Sequence, residues 1–372
     1  MVRIQRALPD SYARAPADEL AGRIAGAKQT LGPRLLVLGH HYQRDEVMRF
    51  ADVRGDSFGL SRIAAERRDA EYVVFCGVHF MAESADILTA PYQQVILPDL
   101  NAGCSMADMA DVESVEEAWE ALDRVTDLDR VVPVTYMNSS AALKAFVGAH
   151  GGAVCTSSNA AAVLGWALGP GNAPDEGRGD KVLFFPDQHL GRNTGHALGY
   201  GAADMAVWDP RRQQGGLDES VIKAASLLLW KGHCSVHQRF RPEHVAAFRA
   251  QHPEGLVFVH PECAHEVAEL GDVVGSTDRI IRAVAEAPTG SVIGVATEIH
   301  LVKRLADETA DKTVVSLDPL VCPCSTMFRI DAAHLCWVLE SLVQGVVVNR
   351  ITVDEETARW ARVSLERMLA IR

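Results

Sequence analysis

Three times along this chain an apolar run ends in polar residues of the kind that do chemistry, and that repeat narrows the available folds sharply. The runs are Leu35-Leu36-Val37-Leu38-Gly39-His40-His41-Tyr42, Val131-Val132-Pro133-Val134-Thr135-Tyr136-Met137-Asn138 and Leu256-Val257-Phe258-Val259-His260-Pro261-Glu262-Cys263. Each suits a buried parallel strand, and a helical pattern follows each one, at Asp45 to Phe50, Ser139 to Phe146 and Ala264 to Leu270. A second apolar run closes each unit, at Val95 to Asp99, Val182 to Asp187 and Val314 to Pro319. A Cys-Ser pair comes next each time: Cys104-Ser105, Cys234-Ser235 and Cys324-Ser325. From first strand to cysteine the units run 69, 103 and 68 residues, so the middle one is expected to carry an insertion at about 188–231, a stretch rich in Gly, Arg and Gln. Alternating strands and helices imply parallel sheets joined by right-handed crossovers. The expected fold class is α/β: three similar α/β/α domains with short parallel sheets, related by a pseudo-threefold axis, with the site at their junction. The expected boundaries are 1–104, 105–234 and 235–324, with 325–372 packing on the first domain. A single (β/α) barrel is the alternative, disfavoured by the unequal middle unit.

Composition excludes several classes of function. The 372 residues are 48% hydrophobic and 23% charged, ordinary for a globular chain and ample for a large core. A net charge of −13 argues against a nucleic-acid or anionic-membrane partner. The longest stretch without Lys, Arg, Asp or Glu, Ala145 to Asn172, is broken by Gly151-Gly152, Ser157-Ser158-Asn159 and Gly169-Pro170, so no membrane helix is expected. Met1 to Pro16 has no apolar run and does not read as a secretory signal. A cytoplasmic chain is expected, and its eight cysteines should be thiols, metal ligands or catalytic groups rather than disulfides.

Cys76, Cys155 and Cys336 sit in apolar surroundings and read as small buried hydrophobes; Cys263, beside Glu262, fits either role. Cys104, Cys234 and Cys324 stand apart because they recur at one place in each unit, where a following helix N-terminus would stabilise a thiolate. Three such thiolates could hold a [4Fe–4S] cluster with one open iron, or a zinc ion with another ligand. Spacing alone leaves both open.

Several ordered motifs resemble the quinolinate synthase family. They are His40-His41-Tyr42-Gln43, Gly55-Asp56-Ser57, His79-Phe80-Met81-Ala82-Glu83-Ser84, Gly103-Cys104-Ser105-Met106-Ala107-Asp108, Thr156-Ser157-Ser158-Asn159, Gly232-His233-Cys234-Ser235-Val236-His237, His260-Pro261-Glu262-Cys263 and Cys322-Pro323-Cys324. The resemblance runs in order from about Leu35 to about Leu342. It implies condensation of iminoaspartate with dihydroxyacetone phosphate to quinolinate, with loss of phosphate and two waters, on the route to NAD. It also implies a [4Fe–4S] cluster on Cys104, Cys234 and Cys324, and raises L-aspartate oxidase as a transient partner. Cys324 rather than Cys322 follows the Cys-Ser repeat and the family pattern.

Within that chemistry, Glu262 at a strand end is expected to have a raised pKa and to serve as general acid or base. His40 and Tyr42 are expected to handle proton movement. Ser57, Ser157, Ser276 and Thr277 are expected to anchor anions together with helix N-terminal N–H groups. Tyr136 and Asn138 are expected to orient substrate, His260 to contact it, and His237 to bind a phosphate or carboxylate. Thr297-Glu298 also fits the family, although Glu298 has the place of a helix N-terminal residue.

Overall fold

The structure, a computed structural model, describes residues 5–169, 179–320 and 323–371. Cys322 and the 170–172 end of the uncharged stretch lie outside the described residues. Four strands form in the first repeat: β1 (Leu35–His40), β2 (Val53–Gly55), β3 (Tyr72–Cys76) and β4 (Gln94–Ile96). The middle repeat supplies β5 (Val131–Tyr136), β6 (Ala153–Cys155), β7 (Lys181–Phe185), β8 (Met205–Trp208) and β9 (Leu227–Trp230). The third supplies β10 (Leu256–Val259), β11 (Val273–Val274), β12 (Val292–Ala296) and β13 (Thr313–Ser316), and β14 (Arg350–Ile351) comes last.

The sheets are ordered β2-β1-β3-β4-β14, β6-β5-β7-β9-β8 and β11-β10-β12-β13. The first four strands of each obey one rule: the opening strand lies between the second and third, and the strand before the cysteine follows the third. The fold is thus three short α/β sheets of one topology, and the apolar runs are near-continuous because helices cover both faces. The strands pair in parallel, except that β14 runs antiparallel to β4 at the edge of the first sheet.

The chain groups into two compact units. The first comprises 1–104, 298–308 and 321–353 and contains the first sheet. Its core includes Val37, Leu38, Val74, Phe75 and Ile96. The helix Ala332–Val343 packs on the helix Ala17–Leu31, where Arg23 makes a two-pronged ion pair with Glu340.

The second unit comprises 105–297, 309–320 and 354–372 and contains the other two sheets. Phe185, Trp208, Leu228 and Trp230 belong to one of its cores, and Phe248, Val257, Val259 and Leu317 to another. The helix Glu355–Ala370 packs here along the helix Ala141–Ala149, with Ser364 Oγ donating to the Lys144 carbonyl at 2.8 Å. The expectation for 325–372 therefore needs correcting: its last helix lies with the middle sheet, because Ala361, Ser364, Leu365 and Met368 form a buried face complementary to that helix. Gly148 makes the approach possible, since a Cβ there would run into the Trp360 carbonyl. Gly148→Ala is expected to lower stability by ~1–3 kcal/mol, read as a drop in the unfolding midpoint. An unchanged midpoint would contradict this packing.

The expected insertion at 188–231 is also narrower in the structure. The helix Gln188–Ala197 is the crossover after β7, equivalent to the helices His79–Leu88 after β3 and Ile299–Glu308 after β12. The added material begins beyond Ala197 and supplies the edge strand β8 and the helix Glu219–Ala224. Glycine marked close packing here rather than a loop. A Cβ on Gly191 would meet Leu229 and Phe184, and one on Gly195 would meet Leu227 and Met205.

Candidate active site

In the second unit, β5 delivers Tyr136 and the turn after β10 delivers Glu262. Tyr136 Oη donates to Glu262 Oε1 at 2.6 Å. The other oxygen, Oε2, lies 2.8 Å from His237 Nδ1, and His237 Nε2 lies 3.2 Å from Thr297 Oγ1. The His260 ring stacks on His237 with centroids 4.5 Å apart. All of these side chains are buried. The result is a dry hydrogen-bonded chain from a phenol through a carboxylate to an imidazole and a hydroxyl, which can pass a proton between its members.

Electrostatics assign the carboxylate its form. Burial alone would raise the Glu262 carboxyl, but His237 and His260 beside it, with hydrogen bonds from His237 and Tyr136, hold it below the usual carboxylate range. That reverses the expectation of a raised pKa: both oxygens already accept short hydrogen bonds, so Glu262 is a charged acceptor. Burial, then His237, pushes His260 down to about 3, which keeps that ring neutral. Asp187 goes the other way, raised by burial and by the charge of Glu262.

Cys234 Sγ, a ring nitrogen of His237 and an oxygen of Glu262 all lie within 4.8 Å of one another. His237 and Glu262 are committed to each other, to Tyr136 and to Thr297, so a mononuclear metal there would have to displace those bonds. Cys234 contributes a thiol, a natural metal donor, to the group.

The three repeat cysteines differ in exposure from the other described cysteines. Cys104, Cys234 and Cys324 are partly exposed and in no disulfide, whereas Cys76, Cys155, Cys263 and Cys336 are buried. Burial lifts the Cys76 thiol to about 12 and the Cys336 thiol to about 11, which marks both as inert. Cys263 belongs to the third core, with Sγ 3.7 Å from the Ala296 carbonyl. The expected helix N-terminus at each repeat cysteine is instead a short 3₁₀ turn, Ala107–Met109, His237–Arg239 and Met327–Arg329. The full helices begin at Val112, Pro242 and Ala332, eight residues after Cys104, Cys234 and Cys324 respectively. That shared register makes Cys324 the counterpart of the other two. Its N–H donates to Glu298 Oε1 at 3.1 Å, and Glu298 also accepts from the His300 N–H, so this glutamate both caps a helix and steadies the cysteine loop.

In the first unit, His40 at the end of β1 meets Tyr42 edge-on at 4.9 Å between centroids, and its Nδ1 accepts the Tyr42 N–H at 3.2 Å. The predicted anion anchors divide by role. Asp56, not Ser57, caps the helix Ser57–Glu66, accepting from Gly59 N. Ser276 caps the helix Thr277–Glu286, and the buried Thr277 Oγ1 has no hydrogen-bond partner among the described residues, which leaves it available to a ligand. Ser157 lines a cavity of about 310 Å³ together with Pro261 and Gly275. Asn138 lies two residues beyond β5, in a turn held by Ser139 Oγ on the Tyr136 carbonyl. Sequence reasoning missed Asn193, which donates to the carbonyls of Pro261 and Cys263 around Glu262. Only its register in the repeat could have revealed it.

These motifs meet a known family. Residues 23–370 match the family model described as quinolinate synthetase A protein. The chain belongs to the quinolinate synthase family. It is 54% identical over 367 residues to the quinolinate synthase of Corynebacterium glutamicum, covering 99% of this chain and 91% of that one. The quinolinate synthase of Nocardioides sp. is 58% identical over 360 residues, 96% of this chain and 91% of the relative. That of Streptomyces coelicolor is 56% identical, over 96% and 89% of the two chains. The protein is thus an enzyme of this kind, in NAD biosynthesis. Among the described residues no helix is long and apolar enough to cross a membrane.

Proposed function

We propose that this chain condenses iminoaspartate with dihydroxyacetone phosphate to quinolinate, releasing phosphate and two waters. The observation that carries this reading is the buried Tyr136–Glu262–His237 chain, because ring formation needs repeated proton transfers out of contact with water. Glu262 takes a proton from substrate, with Tyr136 and His237 stabilising its charge. His40 and Tyr42 move protons in isomerisation or ring closure. Ser57, Ser157, Ser276 and Thr277 hold the carboxylates and phosphate, Thr277 with its unpartnered hydroxyl. Asn138, His237 and His260 orient what is bound. Such local donors are needed because the net charge of −13 repels anions.

Cys104, Cys234 and Cys324 fit a [4Fe–4S] cluster by donor chemistry: three partly exposed thiols at one register of three repeats, set apart from four buried ones. Such a cluster on three thiolates keeps one iron open and supplies a Lewis acid for hydroxyl loss. The supply of an unstable imine also favours a transient encounter with L-aspartate oxidase in the cytoplasm.

The test is an anaerobic assay with iminoaspartate and dihydroxyacetone phosphate, coupled to metal analysis of the same sample. Quinolinate and about four irons per chain are expected. Iron-loaded protein that forms no quinolinate would refute the reaction. A colourless protein with one zinc would favour the Cys234–His237–Glu262 group as a mononuclear site.

A further inference from the structure

The crossover helices after the third strand of each repeat share one register. His79–Leu88, Gln188–Ala197 and Ile299–Glu308 are each ten residues long and begin three residues beyond β3, β7 and β12. Their sixth residues are Ser84, Asn193 and Arg304, all buried.

In the first unit, Arg304 Nη1 donates to the His41 carbonyl at 2.9 Å and Nη2 to the Gln43 carbonyl at 2.6 Å. Its Nε donates to Asp45 Oδ1 at 3.0 Å, and Asp45 opens the helical turn Asp45–Met48. In the second unit, Asn193 Nδ2 donates to the carbonyls of Pro261 and Cys263, both at 2.9 Å. Its Oδ1 faces His265 Nδ1 at 2.8 Å, and His265 opens the helical turn His265–Ala268. Because Asn193 spends its N–H groups on carbonyls, its oxygen is the acceptor and His265 Nδ1–H the donor.

The two arrangements match position by position. His40 corresponds to His260, His41 to Pro261, Tyr42 to Glu262, Gln43 to Cys263 and Asp45 to His265. In both, the middle residue directs its own N–H at the preceding histidine's Nδ1, at 3.2 Å for Tyr42 and 3.4 Å for Glu262. In both, one side chain from a crossover helix holds the carbonyl before that residue, the carbonyl after it, and the first residue of the next turn. Ser84, at the same register, donates instead to the Phe80 carbonyl of its own helix.

We propose that Asn193 and Arg304 are paired positioning residues, aiming Glu262 and Tyr42 by fixing the peptide plane before each and the plane that follows the next residue. A strand-end turn otherwise has freedom in φ and ψ at those planes, and a small rotation there swings the side chain by an ångström or more. Arginine and asparagine do one job because each offers at least two N–H groups in a rigid plane. The register selects the role rather than the residue type. This inference rests on the assignment of Glu262 and Tyr42 to the chemistry.

The experiment compares Asn193→Asp, which keeps the shape but replaces the donating nitrogen by a carboxylate oxygen, with Arg304→Met, in holoenzyme purified anaerobically. Turnover falls ~10- to 100-fold in each, the range a misplaced group costs, while KM, iron content and unfolding midpoint stay near those of the parent. Combining Asn193→Asp with Glu262→Gln, or Arg304→Met with Tyr42→Phe, adds little to the loss from the Glu262 or Tyr42 change alone. Parental turnover in both clamp variants overturns the proposal. So does a loss that tracks lost iron or a collapsed midpoint, or one that multiplies in full in the double variants. Parental turnover in Glu262→Gln and Tyr42→Phe would instead refute the roles of those two residues, leaving the clamps to be judged by their own variants.

Discussion

Serine at Cys104, Cys234 or Cys324 is expected to abolish the proposed iron–sulfur centre and quinolinate formation together, whereas serine at Cys76 or Cys336 should leave both largely intact. The contrast follows from where each cysteine sits in the repeat. The first three are partly exposed and stand at one register of the repeat. Cys76 and Cys336 have thiols lifted to about 12 and about 11 by burial, so neither offers a thiolate at neutral pH. A three-thiolate site has no spare protein ligand, and a serine hydroxyl is a poor substitute for a soft donor to iron. The measurement is iron and acid-labile sulfide per chain on anaerobic protein, with turnover on the same samples. Iron retained in any one of the three variants would remove that cysteine from the ligand set. Iron lost from Cys76→Ser would show that the repeat had been misjudged.

Glu262→Gln keeps the iron and the fold but loses ~10²- to 10⁴-fold in turnover, the range for a missing general acid–base group. Glutamine preserves the size of the side chain and can still accept from Tyr136. It carries no negative charge and cannot take a proton from substrate. The loss should appear in turnover rather than in KM. Tyr136→Phe should cost less, because Glu262 retains its bond to His237. Activity near the parental level in Glu262→Gln would end the case for this residue as the base. A loss of iron in the same variant would point to the carboxylate as a metal ligand with Cys234 and His237.

Much of the fold was legible because the repeat is written in hydrophobicity. Each opening apolar run became a fully or nearly fully buried strand, and its length and flanking turns needed no distant partner to be recognised. The misjudged parts were those where a local signal had a distant cause. Gly191 and Gly195 resembled a loop, but they let a helix lie close on β7 and β9. The helix Glu355–Ala370 carries an apolar face that says it packs, without saying on what; Gly148, more than two hundred residues earlier, decides that.

The site divides in the same way. Sequence alone established three equivalent strands, three equivalent cysteines and the polar residues at the strand ends, because periodic burial and recurring motifs are properties of local segments. It could not establish the charge state of Glu262. A carboxylate in a dry site was expected to bind its proton more tightly. Only the folded chain shows Tyr136 at the end of one strand of the middle sheet and His237 beyond another strand of it already spending their hydrogens on its two oxygens. Nor could it show Asn193 and Arg304 at work, since each acts on carbonyls with no side-chain signature, far away in sequence. A pKa and a backbone clamp both depend on which groups are close in space, and only tertiary structure decides that.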